Sequence, residues 1–329
     1  MFAQTAASVR FRWFAISACA TTYALVVLGG VVRVTGSGDA CPDWPRCHGE
    51  LLPPLETDVL IEFSHRLLAS VVGLLVVALA VAAWRAQRPP VVRWASLLAV
   101  GLVGVQIVLG GITVLSDLSA NMVMAHLAVA SAFLATLLVV ALFSFPNPVR
   151  TKATADMTRF RTQAAIAALA TLALMLTGSY VSGSGAGLAF RDWPLFDGSL
   201  LPDGARLAVI HFAHRLAALL VGLYLIHVAV RAWRRHREQR AVVILSTAVV
   251  ALYGAQALVG GANIWTLLQP AVAGAHLALA VLVWGLLVSM TVIAHRGALP
   301  APAAAARPAR PAAEPARAAA LAGPARGRS

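Results

Sequence analysis

Long apolar stretches separated by short polar connections organise this chain from about residue 13 to residue 295. A helix needs about 20 apolar residues to cross a hydrocarbon core. Eight runs of that length can be placed, at 13–32, 60–84, 93–114, 122–145, 161–182, 206–231, 241–266 and 270–294. The pattern predicts an all-α membrane protein with eight transmembrane helices. The first run follows Arg10 and Arg12 as a signal peptide would, but it outlasts the usual apolar length of about 7–15 residues, which favours a retained helix.

The pattern also repeats. DWPRCHGELLP (43–53) and DWPLFDGSLLP (192–202) agree at 7 of 11 positions, and EFSHRLLASVVGL (62–74) and HFAHRLAALLVGL (211–223) at 8 of 13, both at an offset of 149. GVQIVLGG (104–111) returns as GAQALVGG (254–261), and AHLAVA (125–130) as AHLALA (275–280), both at 150. Two copies of a four-helix unit are implied, and an even number of crossings makes them parallel repeats, two tandem four-helix bundles. The expected division is a cytoplasmic N-terminus (1–12), an N-terminal bundle (13–145), a linker (146–160), a C-terminal bundle (161–295) and a tail (296–329).

Composition agrees with the class: 60% hydrophobic, 12% charged, mean hydropathy +0.79. The net charge of +13 does not imply nucleic acid, because its carriers are spread over alternate connections and the tail, where topology and anionic lipid account for them. Arg10, Arg12, Arg85, Arg88, Arg93, Arg150, Lys152, Arg159, Arg161, Arg231, Arg234, Arg235, Arg237 and Arg240 mark the cytoplasmic side. Asp39, Asp43, Glu50, Glu56, Asp58 and Asp117 dominate the outer loops, so both termini are expected inside. From Ala298 onward the chain is Ala, Pro and Arg with one acid, Glu314, which reads as a disordered cytosolic tail. TGSG (35–38) and SGSG (182–185) follow membrane helices rather than strands and do not read as phosphate loops.

Four of the nine histidines occupy repeated positions, His65 with His214 and His126 with His276. All four fall one or two turns below the outer ends of even-numbered helices, giving each bundle two imidazoles at similar depth. That is what holding a haem iron between two histidines in a low-dielectric core requires. Intramembrane ionisable groups are costly and usually functional. His48, His227, His236 and His295 look ordinary; His211 lies one turn from His214, and the repeat register favours His214 as the ligand. Gly29-Gly30, Gly110-Gly111, Gly178 and Gly260-Gly261 sit near the outer ends of odd-numbered helices, for close helix packing or close approach of a flat ligand. Gln106 and Gln256 recur at matching depth and suggest interhelical hydrogen bonds. Cys19 is mid-helix and reads as core.

TGSGDACPDW, EFSHR, the two AHL histidines and the doubled four-helix plan together resemble the haem A synthase family of cytochrome oxidase assembly, over roughly residues 13–295. The resemblance implies an integral membrane oxidoreductase that converts a methyl group of haem O to a formyl group, making haem A. It implies one bundle holding a haem b cofactor and the other receiving the substrate haem. Implied partners are haem O, the farnesylating haem O synthase that makes it, oxidase assembly factors and membrane lipid; the implied location is a bacterial inner membrane with haem sites toward the outer face.

The copies differ where chemistry is expected. Glu62 is replaced by His211, and Cys41 and Cys47 stand opposite Phe190 and Phe196. The asymmetry assigns His65 and His126 to the substrate haem, His214 and His276 to haem b, and catalysis to Glu62, three residues from His65 on the same helix face. A carboxylate there takes up protons or stabilises positive charge during methyl oxidation; the plainer alternative is an i,i+4 ion pair with Arg66 at a helix N-terminus. Arg66 and Arg215 suit haem propionates or interfacial anchoring. Cys41 and Cys47, in an oxidising outer loop, suit a disulfide, with a redox or haem-handling role or free thiols as alternatives. Two other functions fit the class: a di-haem electron carrier with quinol as donor, which predicts equivalent bundles, and a transporter, which predicts broken helices at midplane.

Overall fold

Eight α-helices carry the protein, and no β-strand occurs among the described residues. They are α1 (Phe2–Thr35), α2 (Thr57–Arg85), α3 (Pro90–Leu115), α4 (Ala120–Phe143), α5 (Ala155–Gly183), α6 (Arg206–Arg235), α7 (Arg240–Trp265) and α8 (Pro270–Arg296). The computed structural model describes residues 2–50, 53–145, 155–202 and 204–296. The expected tail from Ala298 and most of the expected linker lie outside these.

Every helix is long and apolar enough to cross a membrane. Even α4, the shortest at 24 residues, spans ~36 Å, more than the ~30 Å hydrocarbon core. Two begin well before the apolar runs that predicted them: α1 at Phe2 and α5 at Ala155. The added turns have tertiary partners that hydropathy does not register. Phe11 on α1 and Met157 and Phe160 on α5 are buried. Asp156, in the first turn of α5, pairs with Arg231 of α6, where an acid also complements the helix dipole.

The order helix, 3-10 turn, three helices occurs once in 2–143 and again in 155–296. Two buried clusters fill the halves. One joins Phe11, Ala15, Val72, Val76, Leu79, Leu137 and Val140; the other joins Met157, Phe160, Leu225, Val228, Val242, Leu287 and Met290. A third, with Leu134, Met175, Val281 and Trp284, runs along the seam where α4 and α8 meet. Lipid tails are as apolar as these side chains, so close packing and not water exclusion holds the helices together. Leu277 of α8 fills the notch at Gly30 of α1, and Ala120 of α4 the notch at Gly183 of α5. Tyr23 donates to the carbonyl of Ala278 across the same seam, at 3.0 Å.

Helix ends are closed by arginines. The Nε of Arg12 donates to the Ser144 carbonyl and that of Arg161 to the Ala294 carbonyl, each at 2.9 Å. These satisfy carbonyls that a helix C-terminus leaves without an intrahelical donor. At the opposite end, which we call the mouth, the α1–α2 and α5–α6 loops fold over the bundle. Gly36 (φ 74°) and Gly185 (φ 76°) stop α1 and α5 in the left-handed conformation that glycine adopts without strain.

The candidate haem site

Both mouth loops are built on one plan. The carboxylate of Asp43 accepts from the backbone N–H of His48 (2.6 Å) and Gly49 (2.8 Å), and that of Asp192 from Asp197 (2.7 Å) and Gly198 (2.9 Å). The Gly49 N–H above all, then the His48 N–H and the charge of Arg66, hold the Asp43 carboxyl below the usual carboxylate range. Gly198, Asp197 and Arg215 do the same for Asp192. The next residue of each loop folds inward: a Cβ on Gly111 would lie 3.1 Å from the Trp44 ring, and one on Gly261 2.9 Å from the Trp193 ring.

An arginine on the following helix ties each loop down. Arg66 donates to the carbonyls of Asp43 (2.8 Å), Arg46 (2.6 Å) and Cys41 (3.0 Å). Arg215 donates to those of Leu195 (2.8 Å) and Asp192 (3.2 Å). Both arginines are therefore engaged by their own loops.

Around the arginines the halves part company. In the first, Cys41 and Cys47 form a disulfide and both are buried. Glu62, 3% exposed, accepts from Arg66 on Oε1 and from the Cys41 N–H on Oε2, the latter at 2.7 Å. The i,i+4 ion pair expected as the plainer alternative is thus made, and it is buried. In the second half Phe190 and Phe196 meet edge to face, 4.9 Å between centroids, where the disulfide stands in the first. His211 takes the place of Glu62, accepting from the Arg215 Nε at 3.1 Å and lying 5.5 Å from the Phe190 ring.

Deeper in each half lie the repeated histidines, each backed by a helix glycine. A Cβ on Gly29 would approach the Cε1 of His65 to 2.9 Å, on Gly110 that of His126 to 3.4 Å, on Gly178 that of His214 to 3.0 Å, and on Gly260 that of His276 to 3.1 Å. These glycines thus serve close helix packing, as expected: four admit an imidazole of the neighbouring helix, and Gly30 admits Leu277 of α8. His65 and His126 are close enough to interact electrostatically, as are His214 and His276. The two bundle cores take up α2 at Val72, α4 at Phe133, α6 at Leu225 and α8 at Val283, while the first mouth has a small buried cluster of its own around Cys41, Cys47 and Val59.

The Nδ1 atoms of His65, His126 and His276 are buried without a hydrogen-bond partner. His65 and His276 feel the backbone carbonyls of Leu25 and Gln256, but neither contact has the geometry of a hydrogen bond. The His214 Nδ1 is different, 2.9 Å from the Thr177 hydroxyl. Threonine 177 went unnoticed in the sequence, although setting the repeats side by side places it against Leu28 and marks a polar residue present in one copy only. Gln106 and Gln256 each keep a buried Oε1 with no partner, so the interhelical bonds expected of those oxygens are not made.

Among the described residues no group of three or more His, Cys, Asp or Glu side chains is gathered to hold a bare metal ion. Paired imidazoles suit an iron whose remaining donors come from a porphyrin. Paired histidines, each seated on a glycine of the neighbouring helix, and buried imidazole nitrogens short of protein partners fit such a group.

Residues 12–288, and again 204–321, match the profile of the family described as cytochrome oxidase assembly protein, COX15-CtaA. The chain is 30% identical over 250 residues to the Heme A synthase of Shouchella clausii, covering 74% of this chain and 82% of the relative. It is 28% identical over 293 residues to the Heme A synthase of Staphylococcus saprophyticus, covering 87% and 96%. To that of Listeria monocytogenes it is 27% identical over 286 residues, covering 83% and 92%. A helical membrane protein with two histidine-lined mouths and this likeness along most of its length belongs to the COX15-CtaA cytochrome oxidase assembly family, the family of the haem A synthases.

Proposed function

We propose that this chain is a haem A synthase that oxidises a methyl group of haem O to a formyl group, with substrate bound in the N-terminal bundle (13–145) between His65 and His126. The C-terminal bundle (161–295) holds haem b between His214 and His276. One observation carries the reading: of two mouths with matched histidines, glycines and arginines, the first sets a buried carboxylate, Glu62, against its arginine, where the second has His211. A di-haem electron carrier has no use for that difference, and the helices show no break at midplane that would favour transport.

Haem b, when bound, supplies a redox-active iron shielded from water. The chain's own residues do the rest. His65 and His126 orient the substrate, and the glycines behind them fix how far each ring stands from its neighbouring helix. Glu62 shares a helix face with His65, and its orientation is set by Arg66 on Oε1 and the Cys41 N–H on Oε2. Each carboxylate oxygen keeps a lone pair, so Glu62 accepts protons released as the methyl carbon is oxidised, or stabilises positive charge developing there. The disulfide holds the Cys41 N–H in place and so supports the carboxylate indirectly.

The distribution of Lys and Arg supports cytoplasmic termini and mouths facing outward from a bacterial inner membrane. Partners on this reading are haem O, the haem O synthase that supplies it, oxidase assembly factors and the surrounding lipid. The test is to give the purified protein haem O in a membrane mimic with an electron acceptor and to separate extracted pigments by chromatography. Haem A or a hydroxylated precursor is expected; haem O recovered unchanged with haem b alone would sink the reading in favour of the electron carrier.

A further inference from the structure

Each of the four paired histidines is backed by a glycine, and the residue before that glycine is Leu28, Leu109, Thr177 or Val259. Only one of the four carries a hydroxyl. The Thr177 Oγ1 lies 2.8 Å from the carbonyl oxygen of Leu174, three residues earlier on α5, and 2.9 Å from the His214 Nδ1. A carbonyl only accepts, so the contact with Leu174 uses the single hydroxyl proton as donor. With its proton so used, the oxygen is free to accept from the Nδ1–H of His214. A neutral imidazole with its proton on Nδ1 has its free lone pair on Nε2, the atom left to bind a metal.

We propose that Thr177 is a positioning residue that locks His214 as an Nε2 ligand and makes the C-terminal mouth the one that retains its haem, whereas Leu28, at the matching place, leaves His65 unlocked so that the N-terminal mouth can release its product. The inference rests on the reading that haem b resides in the C-terminal half and the substrate haem in the N-terminal half. Metal-bound histidines ordinarily donate their second ring N–H to an acceptor that fixes the tautomer and strengthens the ligand, and losing it costs ~10–100-fold in metal affinity. Here that acceptor is a side chain at His214, while the Nδ1 atoms of His65, His126 and His276 make no hydrogen bond, those of His65 and His276 having only the carbonyls of Leu25 and Gln256 near them. An enzyme that keeps one haem and turns over another needs such a difference in grip, and the chain supplies it by one residue.

The experiment uses the full-length protein loaded with haem and follows haem transfer to an excess of apomyoglobin, alongside a redox titration of the bound haem b. Thr177→Val, which keeps the shape and removes the hydroxyl, is expected to lose haem b ~10–100-fold faster. Its haem b potential should move upward, because a weaker donor stabilises ferric iron less. Thr177→Ser should restore both. Leu28→Thr places a hydroxyl beside His65 and should slow haem release from the N-terminal half; if Thr177→Val does not fold, this arm decides, and unchanged release overturns the proposal. Haem b lost from Thr177→Val at the unmutated rate, with the potential unmoved, overturns the inference and leaves the proposed function standing. Unmutated protein that never binds haem overturns both.

Discussion

The two mouths of this molecule solve one mechanical problem with different chemistry. Each must fold a loop over the bundle and fasten it to the helix that carries a histidine. Both use an aspartate collecting backbone N–H groups, a tryptophan folded onto a glycine, and an arginine gripping loop carbonyls. At the centre of the grip the first mouth has a disulfide and a glutamate, the second two phenyl rings and a histidine. In the second, Arg215 also lies over both rings, 5.2 and 5.0 Å from their centroids. The second loop therefore closes with neither a disulfide nor a buried carboxylate. A covalent bond and a buried charge in the other copy therefore call for a purpose beyond closure, and the catalysis proposed for Glu62 would provide one.

The sharpest way to break this comparison is to remove ligands. His214→Ala or His276→Ala should abolish the haem b absorption of the purified protein, whereas His65→Ala should leave it intact and remove only bound substrate haem; loss of haem b from all three would erase the distinction between mouths. Next in size is Glu62→Gln, which keeps the acceptor to Cys41 but not the charge. Haem A formation should fall ~100-fold or more with haem b unaffected, measured by pigment chromatography, and undiminished output would leave Glu62 with a structural task only.

Cys41→Ser with Cys47→Ser should cost the first loop ~2 kcal/mol, seen as faster hydrogen exchange from the Cys41 N–H outward. Replacing the same pair by two phenylalanines should recover part of that order without a covalent bond, if the aromatic solution transfers. A smaller effect separates glycines within one half. Gly29→Ala brings a Cβ to 2.9 Å of His65 and Gly110→Ala to 3.4 Å of His126, so the first should weaken substrate haem binding more than the second, by spectroscopic titration.

The smallest effect is common to both mouths. Asp43 and Asp192 have carboxyls held below their ordinary range, chiefly by the Gly49 and Gly198 N–H groups. A depressed folded-state value means the stabilisation is complete above the unfolded value, about 3.9, and fades as pH falls through the folded one. Loop protection should therefore be flat across neutral pH and decline in both loops together only in acid, by hydrogen exchange; decline near pH 6 would point to a different group.

Much of this architecture is legible along the chain, because a bilayer tests one local property, whether about 20 successive residues can leave water. Hydropathy accordingly gives eight helices, and self-comparison gives the two histidine pairs and the places where the copies differ. Helix starts at Phe2 and Ala155 are not legible, since Phe11, Phe160 and the Asp156–Arg231 pair stabilise those turns only through neighbouring helices. The commitments of Arg66 and Arg215 to loop carbonyls 20 to 25 positions earlier, the seating of imidazoles on glycines of another helix, and the single hydroxyl on the His214 Nδ1 are likewise decided in three dimensions. Sequence fixes which groups are present in each copy; how far apart they stand, and which of them already have partners, depends on helices folding side by side.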